Sequence, residues 1–564
     1  MRASSRYALA AVVLAAVWIR LSPLLHYLYW GSDVGEYHAI VRGLLASWRI
    51  STSYEGWGAT YPYFPGMFHA IGGAAGLGGI DAAAALSLLG PTFGALAVLP
   101  VFLLGTRLSG EAKVGLFAAG FVAVVMPHVY PTSHAAPGTL GDLFAFAALL
   151  LFLRARADAR ALVPLLVVSA ALVVTHHLST YFLVLMVIGT LVLEGLARPR
   201  SRGPEARLGA AYAAGLLAMT GAYWFGYATT FRDGILRDVD VDPWWLLLAA
   251  FPAILVALWG AVLLRRRVAW RYRPRQPDFR RSFALYLGTL GFVVGLMAFA
   301  AAGGIPGTSI VVPGSVLYYF APVYVLVSLS AAGRKFLDFQ REGTAVTAWL
   351  VALLGSAAIG IVAAPRVVIP YRHIEYVIVP LALLAGVGFF RLLDLGGVGG
   401  GRRTATIAVA GLLLASGALT AFPPPEILGR WQEGSRVAAV DAAYWARDHV
   451  DGLLLADHRA STLAFGFGGV DGTWDTTRGP LAAATFADAR AGMVAVPAPS
   501  GPADVRFVWV DHDTERGIQL FPWEPAAPMS PAAIAKFSES PFVKVYDSGY
   551  ARLYWVAWGC DESC

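Results

Sequence analysis

The sequence predicts an all-α, many-span membrane domain followed by a small α/β domain outside the membrane. Three observations predict it. Of 564 residues, 57% are hydrophobic and only 14% are charged, against roughly 25% charged in soluble domains. Apolar stretches of the ~17–25 residues that cross a bilayer recur throughout residues 1–422. Beyond Phe422 the composition turns: residues 423–564 hold 18 acids against 11 bases and contain no spanning run. The net charge of +7 therefore belongs to the membrane part and does not mark a nucleic-acid surface.

Taken in order, Arg2 and Arg6 precede an apolar run ending in His26-Tyr27-Leu28-Tyr29-Trp30. No small-residue cleavage site precedes that end, so the run reads as an uncleaved signal anchor. Spans are placed at 7–30, 80–104, 112–128, 138–153, 161–175, 178–197, 208–228, 243–264, 282–302, 314–332, 344–364, 371–391 and 404–422, about thirteen in all. Loop charge tests the count. Alternate loops carry about 25 basic residues, including Arg154, Arg156, Arg160 and the block from Arg265, and the opposite loops about six. This asymmetry predicts a cytoplasmic N-terminus and a C-terminal domain on the far side. The domains are then 1–422, with a first outside loop at 31–79, and 423–564.

The first outside loop holds the most informative stretch. Tyr37, Val41, Leu44, Leu45 and Trp48 form one apolar stripe of a helix, expected along the membrane interface with Trp48 near the headgroups. Asp33 and Glu36 precede that stripe. Their spacing reads equally as an N-cap with its capping-box partner and as catalytic carboxylates. Their place just outside a span favours function, because an acid there faces a lipid-borne phosphate and a metal ion can join the two.

Other polar residues fall on the same side: His128 and His134, Asp142 at the head of the next span, His176 and His177, the run Arg232 to Asp242, and Arg366, Arg372, His373 and Glu375. A carboxylate near hydrocarbon needs a partner. Arg372 suits either Glu375, three residues on, or a lipid phosphate. The pattern after residue 423 predicts a helix at Ser435–Val450, a strand at Leu453–Ala456 and a helix at Ser461–Phe467. It continues with a strand at Val505–Asp511, a helix at Pro531–Phe537 and a hairpin around Asp547-Ser548-Gly549. Cys560 and Cys564 read as a frayed tail, with a small disulfide as the alternative if that tail lies outside the cytoplasm. No nucleotide-loop, serine-hydrolase, zinc-protease or CxxC motif is present.

The stretches SDVGEYHAIVRGLL with TYPYFPGMFH, YPTSHAAPGTLGDLFAF, YRHIEYVIVPLALLAG and VYDSGYARLYWV resemble the GT-C membrane glycosyltransferases. Within that class they resemble the catalytic subunit of archaeal and bacterial oligosaccharyltransferases. The resemblance implies a polyprenyl-phosphate-linked sugar donor and a lipid, glycan or protein acceptor. It makes Asp33 and Glu36 the catalytic carboxylates, and Asp33, Asp142 and His134 ligands of a divalent cation such as Mg or Mn. Arg372, with His176 and His177, would contact the donor phosphate. Tyr37 and His38 would lie on the acceptor side. So would Asp457, His458 and Arg459, because DHRASTLAFG stands where the family carries its sequon-reading motif. That departure leaves transfer to an asparagine sequon as one alternative, beside a lipid-linked sugar transporter and a non-catalytic scaffold.

Overall fold

The computed structural model describes residues 3–197, 203–238, 260, 278–303, 313–337, 343–363, 368–395, 402–473, 475–498, 500–521 and 524–558. Apart from residue 260, the expected span at 243–264 lies outside the described residues, as do Asp240, Asp242, Arg366, most of the basic block from Arg265, and both cysteines.

Among the described residues, seven helices are long and apolar enough to cross a membrane: Ser4–Leu25, Ala82–Ser109, Pro137–Ala155, His177–Leu196, Phe279–Ala302, Gly343–Ile361 and Pro370–Asp394. Shorter apolar helices lie at Ala112–Val124, Ala159–Val173, Ala321–Gly333 and Thr406–Leu419. The expected span at 112–128 stops at Val124. Val125 turns extended there and Pro127 opens a separate short turn, since proline cannot donate into a continuing helix. The expected span at 208–228 is the helix Pro204–Gly221 followed by a π-helical turn, Ala222–Tyr227.

The chain forms two compact units. The first is drawn from Met1–Arg20, Phe93–Thr132 and Gly138–Phe422, and the second from Leu21–Thr92, Ser133–Pro137 and Pro423 onward. The first unit is a helical bundle whose core holds Phe102, Phe121, Phe146, Phe152, Phe182 and Trp349, all essentially inaccessible. Trp349 keeps its indole N–H satisfied by donating to Thr190 Oγ1 at 2.8 Å, as a buried donor among apolar side chains must.

The second unit is built on a five-stranded sheet. Its strands are β3 (Leu453–Leu455), β4 (Gly472–Thr473), β5 (Val505–Asp511), β6 (Phe542–Asp547) and β7 (Ala551–Val556), in the order β4-β3-β5-β7-β6. β4, β3 and β5 are parallel, and β7 and β6 antiparallel. Alternation sends Leu454, Phe507, Trp509 and Leu553 to one face and Leu453, Leu455, Val508, Val510 and Tyr554 to the other, the period-2 signature of a strand covered on both sides. The predicted helix at Ser435–Val450 is present as Val437–His449. The hairpin turns at Gly549 (φ +77°), whose N–H donates to Asp547 Oδ1 at 2.8 Å. A two-residue ladder, β1 (Tyr29–Trp30) with β2 (Gly434–Ser435), joins the end of the first apolar run to the C-terminal segment.

One prediction is corrected. The helix expected from Ser461 begins at His458, because Asp457 caps it: its side chain accepts from the Ala460 N–H at 3.1 Å. It then widens into a π-helical turn, Ala464–Gly468. His458 thus stands where parallel strand β3 gives way to a helix, the end of the sheet at which α/β folds build sites.

Candidate active site

Asp33 occupies the N-cap position of the helix Val34–Ser47, but its side chain caps nothing. Its Oδ1 accepts from His458 Nε2 at 2.7 Å, and its Oδ2 from the hydroxyls of Tyr37 at 3.2 Å and Tyr61 at 3.4 Å. The capping-box reading is thereby overturned: both carboxylate oxygens are turned to side-chain donors, one on the same helix and two from elsewhere in the unit. The Asp33 side chain remains 28% exposed, while that of His458 is 8% exposed. Burial pushes the Asp33 carboxyl up, but the charge and hydrogen bond of His458, with His134 and the Tyr37 hydroxyl, bring it below the ordinary aspartate range. Burial pushes His458 down, and Asp33, with Asp457 and Glu433, more than offsets this, lifting the imidazole above its ordinary value. Each charge favours the other, so the pair is bound most strongly when both groups are ionised.

Backbone packing sets this pair. Ser32 N–H donates to Glu433 Oε2 at 2.7 Å and Ser32 C=O accepts from Thr462 Oγ1 at 2.7 Å, so the residue before Asp33 is tied twice to the C-terminal segment. Gly35 faces the Thr462 carbonyl and Gly466 faces Gly35 so closely that a Cβ on either would overlap backbone. Two glycines let the helix Val34–Ser47 meet the turn Ala464–Gly468 backbone to backbone. Val41 and Leu44 are inaccessible, so the stripe predicted for a lipid interface is packed inside this unit. Trp48 is the left-handed C-cap (φ 55°) and is exposed.

Glu36 sits one turn on and is fully buried. Its Oε2 accepts from the Tyr54 hydroxyl and from Gly58 N–H at 3.4 Å. Burial raises its carboxyl to about 7, against the pull of those two bonds. It fastens the aromatic loop that carries Tyr61 to Asp33. His38 donates from Nδ1 to Gly466 C=O at 2.9 Å and stacks on Phe467 at 4.3 Å, and burial keeps it neutral by lowering its pKa. Of the three residues Asp457, His458 and Arg459, only His458 reaches Asp33. Arg459 is inaccessible and paired with Asp511 at 2.6 Å. Asp457 caps its helix and accepts from Thr514 Oγ1 at 3.2 Å. Burial, partly opposed by Arg459, raises Asp457 to about 6.

The first unit holds a second polar cluster. Asp142, buried on the helix Pro137–Ala155, accepts from the Tyr376 hydroxyl. His128 Nε2 lies 3.8 Å from Asp142 Oδ2, and His128 Nδ1 faces Arg20 at 2.9 Å. Arginine only donates, so Nδ1 accepts and the ring proton sits on Nε2, toward Asp142. Arg20 also donates to Thr132 Oγ1 at 2.9 Å and to the carbonyls of Val122 and Ala123. Gly138 and Gly141 admit His176 and Ser179 against this helix, and Ser179 bonds His176 Nδ1 at 2.7 Å. His176 and His177 adjoin at 5.0 Å. Arg372, its guanidinium 5.4 Å from the Tyr371 ring, lies within electrostatic reach of Asp142, Glu375, His176 and His177.

Asp33 and His134 therefore belong to one unit and Asp142 to the other. Among the described residues no three His, Cys, Asp or Glu converge as a metal would need. The groups that face Asp33 are imidazoles and phenol hydroxyls, whereas Mg and Mn select carboxylate, carbonyl and water oxygens. Sequence reasoning passed over Tyr61, Tyr54, Tyr376 and Arg20. Arg20 carried a signal, a lone guanidinium inside an apolar span; the tyrosines carried none.

No protein-family model matches the chain, and no curated protein matches it. Solved structures do. The archaeal oligosaccharyltransferase AglB from Archaeoglobus fulgidus, in complex with an inhibitory peptide and a dolichol-phosphate, superposes with a TM-score of 0.58. The identity is 13%, over 91% of this chain and 70% of that one. The Archaeoglobus fulgidus oligosaccharyltransferase in complex with zinc and sulfate gives 0.55 at 12% identity, over 97% of this chain and 74% of that one. Its apo form gives 0.53 at 12%, over 91% and 70%. At this identity the likeness is one of fold: the chain shares the fold of these oligosaccharyltransferase structures.

Proposed function

We propose that the chain is an inverting membrane glycosyltransferase that moves a sugar or glycan from a polyprenyl-phosphate-linked donor to an acceptor outside the cytoplasm. The observation that supports this most is Asp33: a part-exposed carboxylate, kept charged by His458 and aimed by two tyrosine hydroxyls. Asp33 orients an acceptor O–H or N–H and receives its proton as the acceptor atom bonds to the anomeric carbon. The bond from that carbon to the donor phosphate breaks, and the phosphate leaves with its electron pair. On the sequence resemblance alone, the donor phosphate is assigned to Arg372, with His176 and His177. Glu36, pinned by Tyr54 and Gly58, holds the loop rather than the substrate. No step is routed through a divalent cation, because the donors around Asp33 do not suit one.

A second reading is protein N-glycosylation with an altered acceptor site, favoured by the oligosaccharyltransferase likeness of the fold. Arg459 and Asp457 are engaged inside the domain, so acceptor recognition under either reading rests on other residues. About thirteen spans, a cytoplasmic N-terminus and an extracytoplasmic C-terminal domain complete the proposal, on the loop-charge asymmetry. An introduced cysteine in the C-terminal domain labelled by an impermeant reagent in intact cells supports that orientation; labelling only after membrane disruption overturns it. Mass spectrometry of surface glycans and lipid-linked sugars in a deletion strain tests the function. Loss of one glycan with accumulation of its lipid-linked precursor is expected. Unchanged profiles of both would refute transfer, and loss from glycoproteins alone selects the second reading.

A further inference from the structure

The apolar stripe of the helix Val34–Ser47 is packed inside its unit, but the end of that helix is not. There it lies beside the end of the helix Gly66–Gly78: Leu44 packs on Gly72, and Trp48 and Leu45 on Gly76. Three large apolar side chains stand out from the paired ends. Leu77 is 91% exposed, Trp48 67% and Ile80 43%. Trp48 is held there at a cost. Its backbone is left-handed (φ 55°), a conformation that glycine takes at a helix end without strain and a bulky side chain does not. With most of the indole outside the fold, packing on Gly76 offsets little of that cost.

Chain connection says what covers this patch. The apolar helix Ala82–Ser109, long enough to cross a bilayer, begins two residues beyond Ile80 and five beyond Leu77. Two residues reach at most about 7 Å, and the headgroup layer beside the hydrocarbon is itself roughly 5–8 Å thick. Ile80 therefore falls at that layer. The charge around the patch is one-sided. Arg42 and Arg49 are both exposed, and the sequence holds no acid from Tyr37 to Tyr54 or from Gly56 to Ile80. Asp81 caps the span, its Oδ1 accepting from the N–H groups of Ala83 and Ala84 at 2.9 and 3.1 Å.

We infer that this hairpin end is an anchor seated in the chain's own bilayer, with Trp48, Leu77 and Ile80 at the edge of the hydrocarbon and Arg42 and Arg49 on the phosphates of anionic lipids. Since one helix joins Asp33 to Trp48, the anchor ties the candidate carboxylate's own helix to the membrane surface. The contact does not depend on what the chain transfers.

A nitroxide on Leu77→Cys, in the full chain with Cys560 and Cys564 changed to serine, is read in nanodiscs. Its collisions with oxygen, which dissolves in lipid, are compared with those of a water-soluble nickel chelate. The same label on Asp441→Cys, an exposed position of the same unit, is the reference. Oxygen should dominate at position 77 and nickel at position 441. Replacing phosphatidylcholine by a mixture holding a third phosphatidylglycerol should raise the oxygen-to-nickel ratio at position 77 about twofold, and Arg42→Gln with Arg49→Gln should remove that rise. Trp48→Gly should raise the unfolding temperature, because glycine fits the left-handed cap, and yet lower the ratio at position 77. A label at position 77 as open to nickel as that at position 441 overturns the inference. Protection from both reagents means that a protein covers the hairpin end, and overturns it equally. A ratio indifferent to lipid charge strikes out the arginine contacts, and a destabilised Trp48→Gly makes the tryptophan a packing residue and removes it from the anchor.

Discussion

His458 Nε2 donates to Asp33 Oδ1 at 2.7 Å across 425 residues of sequence. The pair joins the first outside loop to the C-terminal segment within one compact unit, and its two ionisations are coupled in sign. Asp33 is held below its ordinary range and His458 above its own. The aspartate part of the stabilisation is present above the unfolded value near 3.8 and lost as pH falls through the lower folded value. The histidine part is present below the unfolded value near 6.5 and lost as pH rises through the higher folded one.

His458→Gln keeps an N–H donor for Asp33 and removes the charge. The variant should unfold more easily than wild type by about 1–3 kcal/mol between pH 5 and 6. The difference should shrink as pH rises through the raised folded value of His458, where wild type loses that proton. Thermal unfolding across pH in detergent measures this. A pH-independent difference would make His458 a packing residue.

Glu36 gives the opposite slope. A carboxyl lifted to about 7 from an ordinary value near 4.5 makes the folded state less stable as pH rises between the two, by roughly 3 kcal/mol at pH 8. Glu36→Gln retains an oxygen for Tyr54 and Gly58. It should match wild type at pH 4.5, exceed it at pH 8, and keep transfer activity. Loss of transfer with unchanged stability would move Glu36 into the reaction.

Gly35 and Gly43 lie on the same helix, Val34–Ser47, and alanine should act oppositely at the two. A Cβ at Gly35 overlaps the Thr462 carbonyl, whereas at Gly43 it meets nothing within 4 Å. Gly35→Ala should destabilise by about 1–3 kcal/mol or more and abolish transfer by shifting Asp33 from His458. Gly43→Ala should stabilise by about 0.5–1 kcal/mol. Equal unfolding temperatures for the two variants would argue against the close approach.

The sheet of the second unit was legible because its strands alternate: β5 lies at Val505–Asp511 as the pattern predicts. β1, β2 and β4 were not, since two residues carry no period. Asp33 was legible as a candidate from its place beyond a span, but its partner was not. His458 looked like one residue of an acceptor-facing triplet. Only the fold shows Arg459 turned to Asp511 and His458 turned to Asp33. The predicted capping box failed for a related reason. Spacing reports which backbone caps are possible, and the side-chain donors His458, Tyr37 and Tyr61, two of them distant in sequence, outcompeted the cap.

Arg372→Ala should weaken binding of a lipid phosphate by about tenfold or more while the protein still folds. A guanidinium is a strong phosphate partner, and this one precedes the helix His373–Leu395 with its fork over the Tyr371 ring. Arg372→Lys should restore part of the affinity, as a point charge without the fork. Unaltered binding in the alanine variant removes Arg372 from the donor site. A variant that unfolds in detergent makes it a structural partner of the carboxylates nearby.

Asp33→Asn should abolish transfer in a folded protein. Asparagine has the shape of aspartate and the tyrosine hydroxyls of residues 37 and 61 still find an oxygen. The Asp33 side chain makes no cap, so the helix Val34–Ser47 loses nothing at its start. What disappears is the negative charge that both receives an acceptor proton and holds His458 protonated. Stability should therefore fall modestly, by about 1–3 kcal/mol at pH 6, and by the same amount as in His458→Gln, because each variant breaks the same ion pair. Transfer should separate the two: lost by orders of magnitude in Asp33→Asn, and reduced but measurable in His458→Gln, where the carboxylate survives. Complementation of the deletion strain, read by mass spectrometry of its lipid-linked sugars, makes the comparison. Near-full transfer by Asp33→Asn would leave the Asp33–His458 pair a clasp between two segments, and the reacting carboxylate would have to be sought at Asp142 or Glu375.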